Sequence, residues 1–327
     1  MKSIRVHRSL HRLVLIIGAA AWISLSTLIP LSAQESDAAK SAPAAIAKTF
    51  ASPKQAADAL INAAEKFDEQ ELIAIFGTQG EDVVLTGEMP QDRERAVTFA
   101  AKGREKMSVA LDPKNKNRAY LIVGNENWPF PVPIVNTGGK WSFDAKAGRQ
   151  ELLYRRIGYN ELDAIQICRG YVEAQDEYAY KKREGYAVNQ YAQQIVSTSG
   201  KQDGLAWQNP DGTWDGPIGE KIARAIEQGY DKDVSPYHGY YFKILKGQGS
   251  AAPLGQMDFV VQDVMIGGFA LVAAPAEYRM TGVNTFIVSH EGVVYQKDMG
   301  PATLQEFIRM ERFNPDKSWT PVPDANK

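Results

Sequence analysis

Cysteine is nearly absent: Cys168 is the only one in 327 residues. An internal disulfide is thereby excluded, as is any zinc or iron–sulfur site built from several thiolates. Histidine is scarce too. Of four, His7 and His11 lie in the first dozen residues, which leaves His238 and His290 and rules out a multi-histidine metal site in the body of the chain. Basic charge is not in excess. Lys and Arg number 37 against 39 Asp and Glu, a formal net charge of −2, so nucleic acid is not an expected partner. Motifs that carry chemistry are missing as well. Gly247-Gln248-Gly249 lacks the third glycine and the helix of a dinucleotide loop, and no Walker A run or G-x-S-x-G elbow occurs. His290-Glu291 has no second histidine at zincin spacing. No cofactor is implied. What is present is an ordinary globular composition, 44% hydrophobic and 23% charged, enough for a packed core in one large domain or two smaller ones.

The first 33 residues differ from the rest. Lys2, Arg5, Arg8 and Arg12 precede an uncharged, largely apolar stretch from Leu13 to Leu31, and Ser32-Ala33 supplies small residues before Gln34. That order, positive then apolar then small, is the order of a secretory signal peptide, with cleavage expected after Ala33. The competing reading is an uncleaved N-terminal membrane anchor, since 19 uncharged residues nearly span a bilayer; Pro30, Ser24, Ser26 and Thr27 count against it. No cysteine follows the apolar run, so a lipid anchor is excluded. Loss of the leader removes four basic residues and no acidic ones, leaving 33 against 39, a net of −6. The expected location is periplasmic or secreted, with an envelope component as partner.

Gln34 to about residue 50 is rich in Ala and Ser and reads as a flexible linker. Ser52-Pro53-Lys54-Gln55 has the residues of a capping box and opens a helix, Asp68-Glu69-Gln70-Glu71 opens a second, and Gly77 stops it. A third helix is predicted from Pro90 to Lys106. Strands follow over 107–111, 118–123, 134–136 and 140–143, and the alternate prolines of Trp128–Pro133 mark an edge segment. A connecting helix is expected over 148–157, and Asn160 is expected to cap a separate long helix from Glu161 to about Lys182. Its apolar face would carry Leu162, Ile165, Cys168, Val172, Gln175 and Ala179. An irregular Gly/Asn/Asp-rich stretch, a short helix over 217–228, five strands between 240 and 297, a helix over 304–311 and a loose tail at 314–327 complete the chain. The fold class is α+β: N-terminal helices with an antiparallel meander (51–158), then a long helix packed on an antiparallel sheet (159–313).

Three runs carry a resemblance: YAQQIVSTSGKQDGLAWQNP, SPYHGYYFKILKGQG and MIGGFALVAAPAEYRMTGVNTFIVSHEGVVYQKDMGPAT, with NWPFPVPIV and RRIGYNELDAIQICRGYVEAQ in the first half. They resemble a family of bacterial exported proteins catalogued as domain of unknown function 2950, from about Ser52 to Thr303. The resemblance implies export and a shared fold, and it brings no catalytic residues. The second half is also distantly similar to pilin-type domains, in which a helix lies on a sheet, although no prepilin-type Gly-Phe cleavage motif precedes the apolar run.

Candidate chemistry is sparse. Trp207, Trp214 and Tyr237, with Asp203, Asp211 and Asp215, suit a groove for sugar or peptide, because aromatic faces beside carboxylates bind such ligands. His238 is a further candidate ligand or base. Asp211, Thr213, Asp215 and Gly216 match the front of a calcium loop, but position twelve is Ile222 where a glutamate belongs. Cys168 with His238 offers a nucleophile–base pair, yet Cys168 falls on an apolar helix face where a thiol packs as a small hydrophobe. The expectation is a non-catalytic binding or scaffold protein of the bacterial envelope. The alternatives are a hydrolase or transferase acting on envelope polymer through acidic residues near Trp207 and Trp214, and a pilin-like assembly component.

Overall fold

The computed structural model describes residues 46–182, 187–219, 223 and 236–323. The leader, most of the linker, Ile222 and most of the helix expected over 217–228 lie outside the described residues.

The first half is built as its patterning requires. Helix α1 (Pro53–Lys66) begins where Ser52 accepts a hydrogen bond from the Gln55 amide at 3.2 Å, with Pro53 in the first turn. The Gln55 side chain returns to the amide of Ala51, one residue before the cap. Phe67 (φ 50°) ends α1 in the left-handed conformation, and Asp68 caps α2 (Glu69–Phe76) through the Glu71 amide. Helix α3 (Met89–Glu105) packs on α1. Strands β1 (Met107–Leu111), β2 (Arg118–Val123), β4 (Ile134–Thr137) and β5 (Lys140–Phe143) form an antiparallel sheet in that spatial order, and the short edge strand β3 (Trp128–Pro129) pairs with β2. Ala119, Leu121, Val123, Ile134 and Phe143 alternate onto the helix-covered face and bury against Leu60, Ile61, Ile75 and Phe76. Gly138 and Gly139, both at positive φ, make the two-residue β4–β5 turn.

Helix α4 (Ala145–Tyr180) runs unbroken for 36 residues, capped by Asp144 at the Ala147 amide. The expected interruption at 158/159 is absent, so the expected boundary between modules falls inside a helix. Asn160 is not a cap. Its side chain donates to the Thr281 carbonyl at 2.8 Å, which frees it from competing with its own backbone. Glu161 accepts from the amides of Val283 and Asn284 at 2.8 and 2.9 Å. With no proline between 145 and 180, such contacts outweigh the modest propensity cost of Gly158. The buried stripe is Ala164, Ile165, Cys168, Tyr171, Ala174, Gln175 and Tyr178. Leu162, expected on that face, is instead exposed.

The stripe packs on the C-terminal sheet, whose antiparallel order is β17 (Thr320–Pro321), β16 (Tyr295–Asp298), β15 (Asn284–Ser289), β14 (Ala270–Pro275) and β9 (Tyr240–Leu245). Every residue of β14 is buried. Small two-stranded pairs, β10 (Gly247–Gln248) with β11 (Met257–Asp258) and β12 (Val260–Val261) with β13 (Val264–Met265), flank it. The helix Thr303–Arg309 closes the far side, where Lys243 donates to its last carbonyls at Phe307 and Ile308. The tail is not loose as far as residue 323. Besides the β16–β17 pairing, the Val322 amide donates to the Val294 carbonyl at 2.8 Å and Lys297 sits over the Trp319 ring.

The Gly/Asn/Asp-rich stretch also has structure that its composition hid. Strand β6 (Gln194–Val196) pairs in parallel with β7 (Gly204–Gln208), and β7 pairs antiparallel with β8 (Trp214–Asp215). The fold is α+β, with two hydrophobic clusters among the described residues: one from residues 56–143, the other from 164–313.

Candidate functional site

An open cleft of about 350 Å³ lies between the last turns of α4 and the β7–β8 pair. Asp176, Glu177 and Tyr180 line it from α4 and Lys181 from just past its end; Trp207 and Asp215 line it from the small sheet, with Gly216 and Pro217 following β8. Register explains the meeting of Trp207 with Asp215: they are direct cross-strand partners, so their side chains share one face. Gly216 sits at φ 121° with its α-carbon against the Leu205 carbonyl, an approach that a β-carbon would block.

The small sheet is fixed to α4 by polar contacts, those of Gln175 buried and those of Asn189 at the surface. Gln175, fully buried, donates to the Tyr171 hydroxyl and the Ala192 carbonyl and accepts from the Ala192 amide. The Tyr178 hydroxyl donates to the Gln202 carbonyl at 2.6 Å. Asn189 donates to the carbonyls of Ala179 and Tyr180 at the end of α4.

The cleft is negative in character. Three carboxylates face one ammonium, and the carbonyl end of a 36-residue helix adds the negative pole of its dipole. Trp207, 6% exposed, supplies an aromatic wall, and Tyr180 is largely exposed. Such a site suits a ligand with a cationic group and a flat or apolar body. Among the described residues no cluster of three His, Cys, Asp or Glu is arranged to hold a metal ion.

Of the seven residues singled out in the sequence, the cleft gathers Trp207 and Asp215. Trp214 is next to it in β8, half-buried against the C-terminal core. Asp203 and Asp211 serve loops. The Asp203 carboxylate accepts from the Thr198 amide, closing the β6–β7 connection. The Asp211 carboxylate accepts from the Thr213 hydroxyl and amide, shaping the β7–β8 turn, and those bonds hold its pKa below the usual carboxylate value. Asp176, Glu177, Tyr180 and Lys181 were missed. Their only signal is a run of acidic and aromatic residues at the end of a helical pattern, which does not say what faces them.

Tyr237 and His238 do not line the cleft. His238 (φ 45°) stacks on Tyr237 and its Nδ1 lies 2.6 Å from Asp163 Oδ2 on α4. The Asp163 carboxylate at Nδ1 fixes the orientation of the imidazole ring. Cys168 is not its nucleophile. The thiol is fully buried, and desolvation pushes its pKa up to about 12, so thiolate is negligible at neutral pH. His290 packs edge-on to Phe259 and Phe269 beneath Gly268, a structural position.

Among the described residues no helix is long and apolar enough to cross a membrane. No curated protein and no solved structure matches the chain, and the pilin-like resemblance finds no support there. One family model does match, over residues 47–322, and by that match the chain belongs to the family described as "Protein of unknown function (DUF2950)".

Proposed function

We propose that this is an exported protein of the bacterial envelope, periplasmic or secreted, that binds an amine-bearing segment of an envelope polymer without transforming it. Export rests on the basic, apolar and small-residue order of residues 1–33. Binding rests on one observation, the cleft in which Asp176, Glu177 and Asp215 surround the Trp207 wall. Carboxylates attract the amine, and the aromatic surface takes the apolar or sugar portion. A net charge of −6 without the leader adds a field that draws cationic ligands.

The test is calorimetric titration with three probes: a lysine-containing tripeptide, its amine-acetylated form and a neutral chito-oligosaccharide. The amine-bearing peptide is expected to bind, acetylation to weaken it at least about fivefold, and Asp215→Asn to do the same. Equal binding of the acetylated peptide, or no binding by any probe, overturns the ligand assignment. Release of cleavage products from an envelope-polymer preparation, abolished by Asp176→Asn or Glu177→Gln, would replace binding with hydrolysis. Fractionation that finds the full-length chain in the cytosol with residues 1–33 attached would overturn export.

A further inference from the structure

Strand β1 ends its sheet, and among the described residues no strand pairs with its outer edge. The β1–β2 register pairs Met107 with Val123 and Leu111 with Ala119. The flanking bonds set the phase of that ladder: the Gly124 amide donates to the Lys106 carbonyl, and the Asp112 amide to the Arg118 carbonyl. Residues 106, 108, 110 and 112 therefore turn their amides and carbonyls toward β2, and Met107, Val109 and Leu111 turn theirs outward.

This edge has none of the usual protections. Met107-Ser108-Val109-Ala110-Leu111 contains no charge and no proline, and its pairing with β2 is free of bulges. The opposite edge of the same sheet is covered, since Phe50 and Trp141 exchange both backbone bonds across β5. In the C-terminal sheet, one outermost strand, β17, is two residues long and includes Pro321, and the other, β9, carries the charge of Lys243. On β1, Leu111 is 55% exposed, and so is much of Val97 on α3, the helix that packs on β1.

We infer that the free edge of β1 pairs with the same edge of a second copy of this chain, antiparallel about Val109. The sequence is self-complementary in that register. Val109 faces Val109, and Met107 faces Leu111, all with outward-turned backbone groups, so six inter-chain hydrogen bonds form from residues that have no strand partner on that side among the described residues. Met107 and Leu111 meet on the helix-covered face, which shields Leu111. Ser108 meets Ala110 on the other face, where both are small and exposed. One step further out, Lys106 of each copy lies opposite Asp112 of the other, twice per dimer, in the closer-spaced class of pair. A sheet continuous through both copies results, with an isologous two-fold interface.

Two measurements on the purified full chain test this. Ser108→Cys protein and Ala110→Cys protein are mixed under mild oxidation. The mixture is expected to give a covalent dimer and each variant alone little, because only the mixed pair brings the two thiols opposite; native Cys168 is fully buried. In sedimentation velocity over a concentration series, Val109→Pro is expected to raise the dimer dissociation constant at least about tenfold. It deletes two of the six bonds yet spares the β1–β2 ladder, whose bonds do not use the Val109 amide. A circular-dichroism spectrum like that of the unaltered chain shows that the variant folds, and Lys106→Glu provides a second, surface-only disruption. A chain that stays monomeric at every concentration overturns the inference. So does a dimer indifferent to both substitutions, or a mixture that fails to cross-link.

Discussion

Replacing Gln175 with leucine tests how the candidate cleft is held. The two side chains are of similar size, so packing around the fully buried position changes little. What is lost is the pair of bonds to Ala192, donated to its carbonyl and accepted from its amide at 2.8 Å each, and the bond to the Tyr171 hydroxyl at 2.9 Å. Leucine leaves two buried backbone groups unpaired, at about 1–3 kcal/mol each. The gain from burying a more apolar side chain offsets about 1–2 kcal/mol. The expected net loss is about 3 kcal/mol, read by urea unfolding monitored by circular dichroism, with a fall in Tm of roughly 5–10 °C. Ala192 leads into β6, and β6 pairs with β7, which carries Trp207, so binding in the cleft should weaken as well. Leu162→Ala is the control: that side chain is exposed, and the change should cost under about 0.5 kcal/mol. A loss below about 1 kcal/mol in Gln175→Leu would refute the reasoning, because Ala192 would then be satisfied without Gln175.

Three other outcomes are expected. Asp92 is buried, which raises its pKa, but the Thr86 hydroxyl and the amides of Thr86 and Gly87 outweigh that and hold the carboxyl below its ordinary value. Its stabilisation is therefore present above about pH 4 and is lost as pH falls through the depressed pKa; Asp92→Ala should be about 2 kcal/mol less stable at pH 7, and the gap should narrow in acid unfolding curves. The Cys168 thiol should resist a thiol reagent at pH 8 in the folded protein and react fully in denaturant, and prompt labelling of the native chain would contradict its burial. Gly216→Ala places a methyl group on the Leu205 carbonyl at a left-handed φ, so a loss of about 2 kcal/mol or more and a distorted cleft are expected from unfolding and titration together.

Local signals carried much of the fold. Ser52, Asp68 and the paired glycines at 138 and 139 lie where their side chains or backbone freedom are required, and each marks its element end correctly. Errors arose wherever a distant partner decided the outcome. Asn160 has the chemistry of a cap, but Thr281, 121 residues away, takes its side chain. Leu162 satisfies a helical period, but the sheet meets α4 on the side of Ala164 and Tyr171. Strands β6, β7 and β8 are short and interrupted by turn residues, so no period marks them, and β17 exists only because β16 is beside it. The cleft was half legible for the same reason. Aromatic and acidic residues of β7 and β8 stand out in composition, whereas Asp176 and Glu177 look like any solvated helix end until the sheet faces them.

The unbroken α4 has a consequence for anyone who would divide this protein. At 36 residues it is a rod about 54 Å long. Near its start, Arg149 is clamped on Asp82 and Gly148 lies against Val132; beyond Asn160, its inner stripe roofs the C-terminal strands. Gene-level surgery finds no seam in it. Transplanting either half into another host protein means carrying the whole rod along, and the half left behind loses the beam on which it was assembled.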